Sequence, residues 1–304
     1  MDNVIEINNL KKYFGDVKAV DDISFTVKKG ELFAFLGLNG AGKSTTINII
    51  CGVLKKDSGH CFINNQSIEE IKNILPDLGI VFQSSVLDKK LTVYDNLFFR
   101  AMLYGLKKDE FHRNLKFFSD RLNLKDIMLK PFEKLSGGQK RKIDIVRALI
   151  HKPDILILDE PTTGLDPQTR VAVWKLIDEL RAKEGLSVLL TTHYMEEAVE
   201  ADYVVIMDGG KIAAKGTPVD LKNRYAKDYV YLYEYDNSLL DRLKRANIQF
   251  EKNKKYLKLS FNDIQSAKSF VLDNYRSIND MEIIKGRMDD VFLNITGKNL
   301  KESL

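Results

Sequence analysis

The sequence predicts an α/β protein with a parallel sheet at its centre, and three observations carry that prediction. Short apolar runs that do not alternate are typical of strands buried on both faces of a parallel sheet, and they recur at 32–36, 155–158, 187–190 and 203–207. Segments with helical patterning separate these runs, and strands alternating with helices indicate a parallel core. The chain has 304 residues, 44% of them hydrophobic, which predicts two units rather than one.

The part of the chain around this core has two further predicted features. Residues 4–9 and 22–28 have the composition and alternation of strands and predict an antiparallel sheet at the N-terminus. Between residues 88 and 150 the pattern is helical, with apolar side chains spaced among charges. We expect this stretch to form a helical insertion in the sheet.

The tail changes character and predicts a small α+β domain over residues 221–304, after a first domain over 1–220. In order, the predicted elements are a strand at 229–235, a helix around 239–243, a hairpin at 248–251 and 256–261, a helix over 264–275, a strand at 281–285 and a last helix around 291–293. The order βαββαβ is that of a ferredoxin-like unit.

The composition of the chain limits which cellular compartment and which classes of partner we expect. The net charge of +4 is too small to indicate nucleic acid, and we expect no direct nucleic-acid contact. Cys51 and Cys61 form neither a disulfide framework nor a metal-ligand pattern, which favours a reducing compartment. The acidic start predicts no signal peptide, and no apolar run approaches the roughly 18 residues that span a bilayer. We therefore expect a cytoplasmic protein whose membrane role would depend on a partner.

The most informative motif follows the first apolar run. Residues 37–44 match GxxxxGK[ST] between a predicted buried strand and a predicted helix, which is the context of a phosphate-binding loop. In such a loop, backbone N–H groups and the helix N-terminus surround phosphate oxygens. Lys43 is predicted to reach the β- and γ-phosphates, and Ser44 to bind Mg²⁺. The predicted nucleotide contacts here are Gly37, Leu38, Asn39, Gly40, Ala41, Gly42, Lys43, Ser44 and Thr45.

A pair of acidic residues ends the second apolar run. A strand that ends at Asp159 places a carboxylate beside the phosphate loop, where it can bind Mg²⁺. Glu160, the next residue, can accept a proton from an attacking water molecule. Adjacent acids at a strand end are often only solvated turn residues, but a phosphate loop upstream favours the catalytic interpretation.

Four further motifs lie in a fixed order around these two. They are Gln83 in Val-Phe-Gln, the segment Ser136-Gly137-Gly138-Gln139, Asp166 in Gly-Leu-Asp, and His193 in Thr-Thr-His. The segment from Ser136 alone would fit an ordinary helix N-cap. Together, the motifs make residues 4–220 resemble an ATP-binding-cassette (ABC) ATPase. The resemblance implies a P-loop NTPase cassette with ATP and Mg²⁺ as cofactors.

The resemblance also implies a role for each matching residue. Tyr13 corresponds to the aromatic side chain that stacks on adenine. Gln83 corresponds to the residue that senses Mg²⁺ and the attacking water, and it is also a predicted metal ligand. His193 would contact the γ-phosphate and steady Glu160, and Asp166 would lie at a dimer interface.

The segment Ser136-Gly137-Gly138-Gln139 implies a partner. In ABC ATPases this segment binds the γ-phosphate held by the other subunit, so that two cassettes close head to tail over two ATP molecules. Hydrolysis would then depend on closure, because positioning and electrostatics dominate phosphoryl transfer. A homodimer and a pair of different cassettes both fit this expectation.

The physiological role is predicted from smaller resemblances. The stretches 91–97, 101–106, 162–167 and 288–297 look like those of ABC-2-type, drug-resistance exporters. We therefore expect a subunit on the inner face of the cell membrane that drives a separately encoded permease. The alternative is a soluble regulatory or nucleic-acid-linked ABC ATPase that uses its basic tail as a contact surface. A nucleotide kinase is disfavoured, because it has no use for Ser136-Gly137-Gly138.

Overall fold

The computed structural model describes residues 2–246 and 248–298, and of Asn237 it describes the backbone alone. The predicted domains 1–220 and 221–304 therefore include residues 1, 247 and 299–304, which lie outside the described part. The chain divides into two compact units, the first ending at Ile212 and the second beginning at Ala213. The predicted boundary between residues 220 and 221 falls later, inside a helix over Pro218–Tyr225.

The first unit contains two sheets. Its strands are β1 (Asn3–Phe14), β2 (Val17–Lys28), β3 (Leu32–Leu36), β4 (Ser58–Ile63), β5 (Gln66–Ser67), β6 (Leu78–Val81), β7 (Ile155–Asp159), β8 (Ser187–Thr192), β9 (Tyr203–Asp208) and β10 (Lys211–Gly216), within which the unit ends. The antiparallel sheet has the order β2-β1-β4-β5, and the larger sheet has the order β10-β9-β3-β8-β7-β6. From β9 to β6 all neighbours are parallel, as predicted.

The helices of the first unit alternate with its strands or form the helical insertion. They are α1 (Lys43–Ile50), α2 (Ile71–Ile74), α3 (Val93–Leu103), α4 (Lys108–Leu122), α5 (Gly137–Leu149), α6 (Pro167–Glu184) and α7 (Met195–Val199), with short 3-10 turns at Ile68–Glu70, Leu75–Asp77, Lys125–Ile127 and Phe132–Lys134. Helices α3, α4 and α5 lie in the predicted helical insertion. Thr92 and Ser136 cap α3 and α5 by accepting backbone N–H groups, and such caps contribute about 1 kcal/mol each.

The core explains why these runs form these strands. Every residue of β3, β7 and β8 is buried, so a continuous apolar run suits them better than alternation. Phe25 of β2 packs on Phe33 and Phe35 of β3 with ring centroids 5.3 and 4.8 Å apart, which joins the two sheets. The N-terminal strands extend well beyond the predicted 4–9 and 22–28, because the charged stretch between them pairs as one long hairpin.

The second unit is a four-stranded antiparallel sheet with helices. Its elements are α8 (Pro218–Tyr225), β11 (Asp228–Tyr235), α9 (Asn237–Arg245), β12 (Phe250–Lys252), β13 (Leu257–Phe261), α10 (Ile264–Asn274), a 3-10 turn at Tyr275–Ser277, β14 (Ile278–Ile284) and α11 (Met288–Thr296). From β11 to β14 the order of elements is βαββαβ, and the sheet order is β12-β13-β11-β14. Its core consists of Val230, Leu232, Leu239, Leu243, Leu257, Leu259, Ala267, Phe270 and Val271.

Candidate nucleotide-binding site

The phosphate loop lies between β3 and α1 and is packed tightly from behind. A Cβ atom at Gly37 would lie 2.7 Å from the carbonyl oxygen of Met207. Gly42 has a φ of +105°, and a Cβ there would lie 2.3 Å from the carbonyl oxygen of Ala19. Both positions therefore require glycine, which lets the backbone turn sharply into α1. The turn leaves the N-terminus of α1 as an anion-binding end.

Lys43 opens α1 and is 4% exposed. Its Nζ donates to the carbonyl oxygens of Gly37 at 2.7 Å and Leu38 at 3.0 Å. Burial lowers the pKa of Lys43, and the nearby carboxylates of Glu160 and Asp159 oppose that shift. The ammonium group is thus held inside the loop, where phosphate oxygens are a better match for its charge than two neutral carbonyls. The loop fits the phosphates of a nucleoside triphosphate.

Asp159 ends β7 as predicted and is 5% exposed. One of its carboxylate oxygens, Oδ1, accepts hydrogen bonds from Ser44 Oγ at 3.2 Å and from Thr191 Oγ1 at 2.5 Å. Hydroxyl and carboxylate oxygens are suitable Mg²⁺ ligands. In the described part of the chain, no group of three or more His, Cys, Asp or Glu could hold a metal ion. A Mg²⁺ ion fits here if Ser44, Asp159 and nucleotide phosphates share its coordination.

Glu160 has a strained backbone that is held in place by the neighbouring strand. Its φ is +48°, a left-handed conformation that costs a residue with a side chain about 1–3 kcal/mol. Its N–H donates to both Oγ1 and the carbonyl oxygen of Thr191, at 3.1 and 3.2 Å. Its carboxylate lies 3.4 Å from His193 Nδ1 and accepts from Thr163 Oγ1 at 3.4 Å. The structure thus brings the predicted base and the predicted His193 together.

Gln83 lies near these groups but does not bond to them. It follows β6 by two residues, and the pairing of Val81 with Leu158 places it beside the carboxyl end of β7. Its side chain is exposed. Within residues 2–246 and 248–298, no hydrogen bond joins Gln83 to Ser44 or Asp159, so its role as a metal ligand stays a prediction.

Tyr13 lies in the β1–β2 hairpin and is half-buried. Its hydroxyl donates to Asp21 Oδ1 at 2.6 Å, and that bond raises the pKa of Tyr13. Lys18 Nζ lies 5.7 Å from the ring centroid. The same hairpin supports the phosphate loop, because the carbonyl oxygen of Ala19 is the atom closest to Gly42. The contacts of Tyr13 are thus made within the hairpin, whereas Ala19 is the hairpin residue next to the phosphate loop. Adenine stacking on Tyr13 stays a prediction.

The segment from Ser136 to Gln139 starts α5 on the surface. Ser136 Oγ accepts from the Gln139 N–H at 3.3 Å, and Gln139 Oε1 accepts from the Ser136 N–H at 3.0 Å. A Cβ atom at Gly138 would lie 3.6 Å from the carboxylate of Asp166. Asp166 itself caps α6 by accepting from the Thr169 N–H at 2.9 Å, and the bonds from Thr169 lower its pKa. The two segments thus form one exposed helix-terminal surface.

Two residues for which the sequence predicted no role also support the site. Thr191 links Asp159 to the Glu160 backbone. In the sequence, a hydroxyl side chain at the end of an apolar run could have indicated this role. Arg141 is 8% exposed, and its guanidinium donates to the backbone carbonyls of four residues. These are Phe82 at 2.6 Å, Asp159 at 2.7 Å, Glu160 at 2.8 Å and Pro161 at 2.8 Å. In the sequence, Arg141 sits in a Lys-Arg-Lys run that resembles a solvated surface.

Comparison with known proteins identifies this arrangement. A family model described as ABC transporter matches residues 20–163. The linearmycin resistance ATP-binding protein LnrL of Bacillus subtilis (strain 168) is 40% identical over 230 residues, covering 75% of this chain and 73% of LnrL. The chain belongs to the ABC transporter family. ATP-binding cassettes of this family bind ATP and hydrolyse it to drive transport, so the predicted ATPase is confirmed.

Two further ABC relatives define how far the similarity reaches. The probable multidrug ABC transporter ATP-binding protein YbhF of Escherichia coli (strain K12) is 40% identical over 228 residues, which cover 75% of this chain and 39% of YbhF. The chain thus spans about two fifths of the length of that relative. The dimeric structure of MJ0796, a bacterial ABC transporter cassette, matches with a TM-score of 0.66 and 26% identity over 70% of this chain and 98% of MJ0796. These matches confirm the predicted cassette fold.

A helix that crosses a bilayer needs about 20 mostly apolar residues. Of the helices described between residues 2 and 298, none has the length and apolar composition needed to cross a membrane.

Proposed function

We propose that the chain is the ATP-hydrolysing subunit of an ABC-2-type, drug-resistance exporter, and that it drives a separately encoded membrane permease. The carrying observation is that Lys43, Asp159, Glu160 and His193 converge at the carboxyl ends of β3, β7 and β8. In a parallel sheet these ends lie at one edge, where ligands bind. The two relatives named for multidrug transport and linearmycin resistance support the exporter assignment.

The residues of this site divide the work of hydrolysis. The ammonium group of Lys43 places a positive charge where negative charge builds up on the transferred phosphoryl group. Glu160 accepts the proton of the attacking water, and His193 orients the Glu160 carboxylate. Mg²⁺, bound by Ser44 and Asp159, would neutralise phosphate charge. Thr191 holds both acids in register, because its hydroxyl donates to Asp159 and accepts from the Glu160 backbone.

A second cassette is part of the proposal. Ser136 and the glycine after it are exposed at the N-terminus of α5, where N–H groups can receive an anion from outside the subunit. Asp166 lies beside this surface. The MJ0796 cassette was solved as a dimer, which supports head-to-tail closure of two cassettes over two ATP molecules.

The permease contact is proposed at three exposed apolar side chains of α3 and the segment before it, Val86, Phe99 and Leu103, which we call the apolar patch. These side chains are 43%, 54% and 78% exposed. Arg100 Nη2 donates to the carbonyl oxygen of Val86 at 3.2 Å, which ties α3 to the segment after Gln83. Exposed apolar patches on a protein surface mark partner sites. A permease bound there would keep the subunit on the inner face of the membrane. It would also lie close to Gln83, which precedes Val86 by three residues.

The ATPase and dimer parts are tested together with Glu160→Gln. We expect wild type to hydrolyse MgATP, and Glu160→Gln to lower kcat by about 10²–10⁴-fold, the usual contribution of a general base. In size-exclusion chromatography with light scattering, the variant should form a dimer with MgATP only. The exposed Glu184→Gln is the matched control and should behave as wild type. Wild type without hydrolysis, or a variant with full activity, contradicts the assignment.

The permease part has its own test. A membrane protein encoded beside this chain, co-expressed and extracted in detergent, should co-purify with wild type but not with Leu103→Glu. Leu129→Glu is the control, because Leu129 is 82% exposed and lies outside the patch. Equal recovery with both variants would show that the patch is not the permease contact, and failure to recover any membrane protein would favour a soluble ATPase.

A further inference from the structure

We propose that Arg141 is a positioning residue that sets the backbone on which Gln83 and Glu160 stand, and that it ties both to α5. The inference deepens the proposed ATPase and rests on it. Arg141 lies in the second turn of α5, is almost fully buried, and directs its guanidinium away from solvent.

The four carbonyls that Arg141 binds belong to two separate segments. One is Phe82, whose carbonyl is part of the peptide that leads into Gln83. The others are Asp159, Glu160 and Pro161, which flank the predicted base on both sides. One planar fork with five N–H donors therefore fixes the peptide planes next to two predicted catalytic side chains.

The bonds to Asp159 and Glu160 explain how the left-handed backbone of Glu160 persists. Arg141 Nη2 donates to the carbonyl oxygens of Asp159 and Glu160, at 2.7 and 2.8 Å, on either side of the strained φ. Thr191 Oγ1 accepts from the N–H of Glu160 at 3.1 Å. Strained backbone of this kind persists only where its surroundings over-determine it, and it is typical of active sites.

A second bond from α5 holds the other flank of Gln83. Ser85 Oγ donates to Asp144 Oδ1 at 2.6 Å, and Asp144 is one turn after Arg141 on the buried face of α5. Gln83 thus stands between two residues, Phe82 and Ser85, that are both bound to one helix. Its own side chain is exposed.

This arrangement links the N-terminus and the buried face of α5 to different active sites. The helix starts at Ser136, which is proposed to contact the ATP of the partner cassette, and its buried face holds Gln83 and Glu160 of its own subunit. A shift of α5 on closure therefore moves both catalytic backbones together. Arg141 is the connection that makes hydrolysis in one site follow closure at the other.

Arg141→Lys tests the role, because one ammonium group cannot span four carbonyls on two segments. We expect kcat for ATP hydrolysis to fall about tenfold or more, since small misplacements of catalytic groups are costly. KM should stay within about twofold, because Tyr13 and Lys43 are untouched. Arg147→Lys is the matched control: Arg147 is equally buried in α5 but donates to Ile80 in the middle of β6. It should cost stability while kcat stays near that of wild type.

Ser85 provides a second variant with a conservative rescue. Ser85→Ala should lower kcat by a few-fold, and Ser85→Thr, which keeps the hydroxyl, should restore it. A purely structural role predicts that Arg141→Lys and Arg147→Lys lower the melting temperature alike and leave kcat per folded molecule unchanged, and that result overturns the proposal.

Hydrogen exchange decides the same question without hydrolysis. Amides of residues 83–85 and 159–162, which lie beyond the Ile80 carbonyl that Arg147 binds, should exchange faster in Arg141→Lys than in wild type or Arg147→Lys. Equal exchange in all three proteins overturns the role of Arg141. If wild type hydrolyses no ATP, the proposed function fails, while the exchange result still confirms or refutes the positioning.

Discussion

The two units of the chain differ most in what they bury. The interior of the first unit contains charged and polar side chains such as Lys43, Arg141, Asp159 and Thr191, whereas Asp228 is the one buried polar side chain among the described residues of the second. Asp228 has a local task, accepting from the Gly286 N–H at 2.9 Å. Polar groups are expensive to bury, so a cluster of them at strand ends marks a site. The difference indicates that chemistry belongs to the first unit and that the second is built for stability.

Removing the buried charge of the first unit should give the largest effect. Lys43→Ala takes away the cation inside the phosphate loop, and losing one such donor costs roughly 10²–10³-fold in rate, about 3–4 kcal/mol. We expect ATP hydrolysis to fall by at least that factor in a steady-state assay. Lys55→Ala, an exposed lysine beyond α1, should leave the rate unchanged. A Lys43→Ala variant with near-normal turnover would remove the basis for the comparison.

Truncating the apolar core of the second unit should change stability and not chemistry. Leu232→Ala opens a cavity in a core where Leu232 is fully buried, at a cost of about 3 kcal/mol. Denaturant unfolding followed by the fluorescence of the many tyrosines of β11 should show an earlier transition. ATPase activity per folded molecule should match wild type at 25 °C. Loss of activity in proportion to folded protein lost is compatible with the comparison, whereas loss beyond that contradicts it.

Thr191→Val should separate the effect of the Thr191 hydroxyl on the ATPase rate from the effect of its packing on stability. The variant keeps the shape of the side chain but loses the hydroxyl between Asp159 and Glu160, so we expect a rate loss of about tenfold, or about 1.4 kcal/mol. Ser187→Ala is the control, because it removes a buried hydroxyl from the other end of β8, where it accepts from the Gly30 N–H. Similar melting temperatures with different rates would sharpen the comparison. Equal rates would assign Thr191 to packing.

The smallest effect is a pH dependence of stability that originates in the first unit. Burial lowers the pKa of His151 to about 4, and its ring stacks on Tyr104 with centroids 3.7 Å apart. The unfolded chain therefore binds the extra proton first, and stability falls as pH drops from the unfolded value near 6.5 towards 4. Between pH 7 and pH 6 the loss is roughly 0.7 kcal/mol. His151→Phe keeps the stacking and should flatten this part of a urea-unfolding profile; an unchanged slope would exclude His151 as its source.

Motif-bearing segments were predictable because their chemistry leaves few alternatives. The strand before Gly37 and the strand ending at Asp159 were placed within one residue, since glycine and acidic residues punctuate apolar runs there. The helices and strands of the second unit were also close to prediction, because its core follows simple amphipathic spacing. Short apolar runs and helical spacing thus predicted most of the fold.

The parts that escaped prediction depend on long-range pairing or on buried charge. Strand β4 has the mixed composition SGHCFI, and its pairing with β1 determines its structure. Arg141 could not be identified, because a charged residue in a charged run gives no local sign of burial. Four carbonyls from distant segments compensate its desolvation, and only the folded chain brings them together.

The backbone of Glu160 sets folding and activity against each other. Glycine or asparagine would adopt its left-handed φ at lower cost, so Glu160→Gly or Glu160→Asn should raise the melting temperature while removing the base. Selection for thermal stability alone would therefore drift away from glutamate at this position, and only selection for turnover would retain it. Glu160 combines a strained backbone with the role of the predicted base, so a lineage selected for stability alone would lose catalysis at this position.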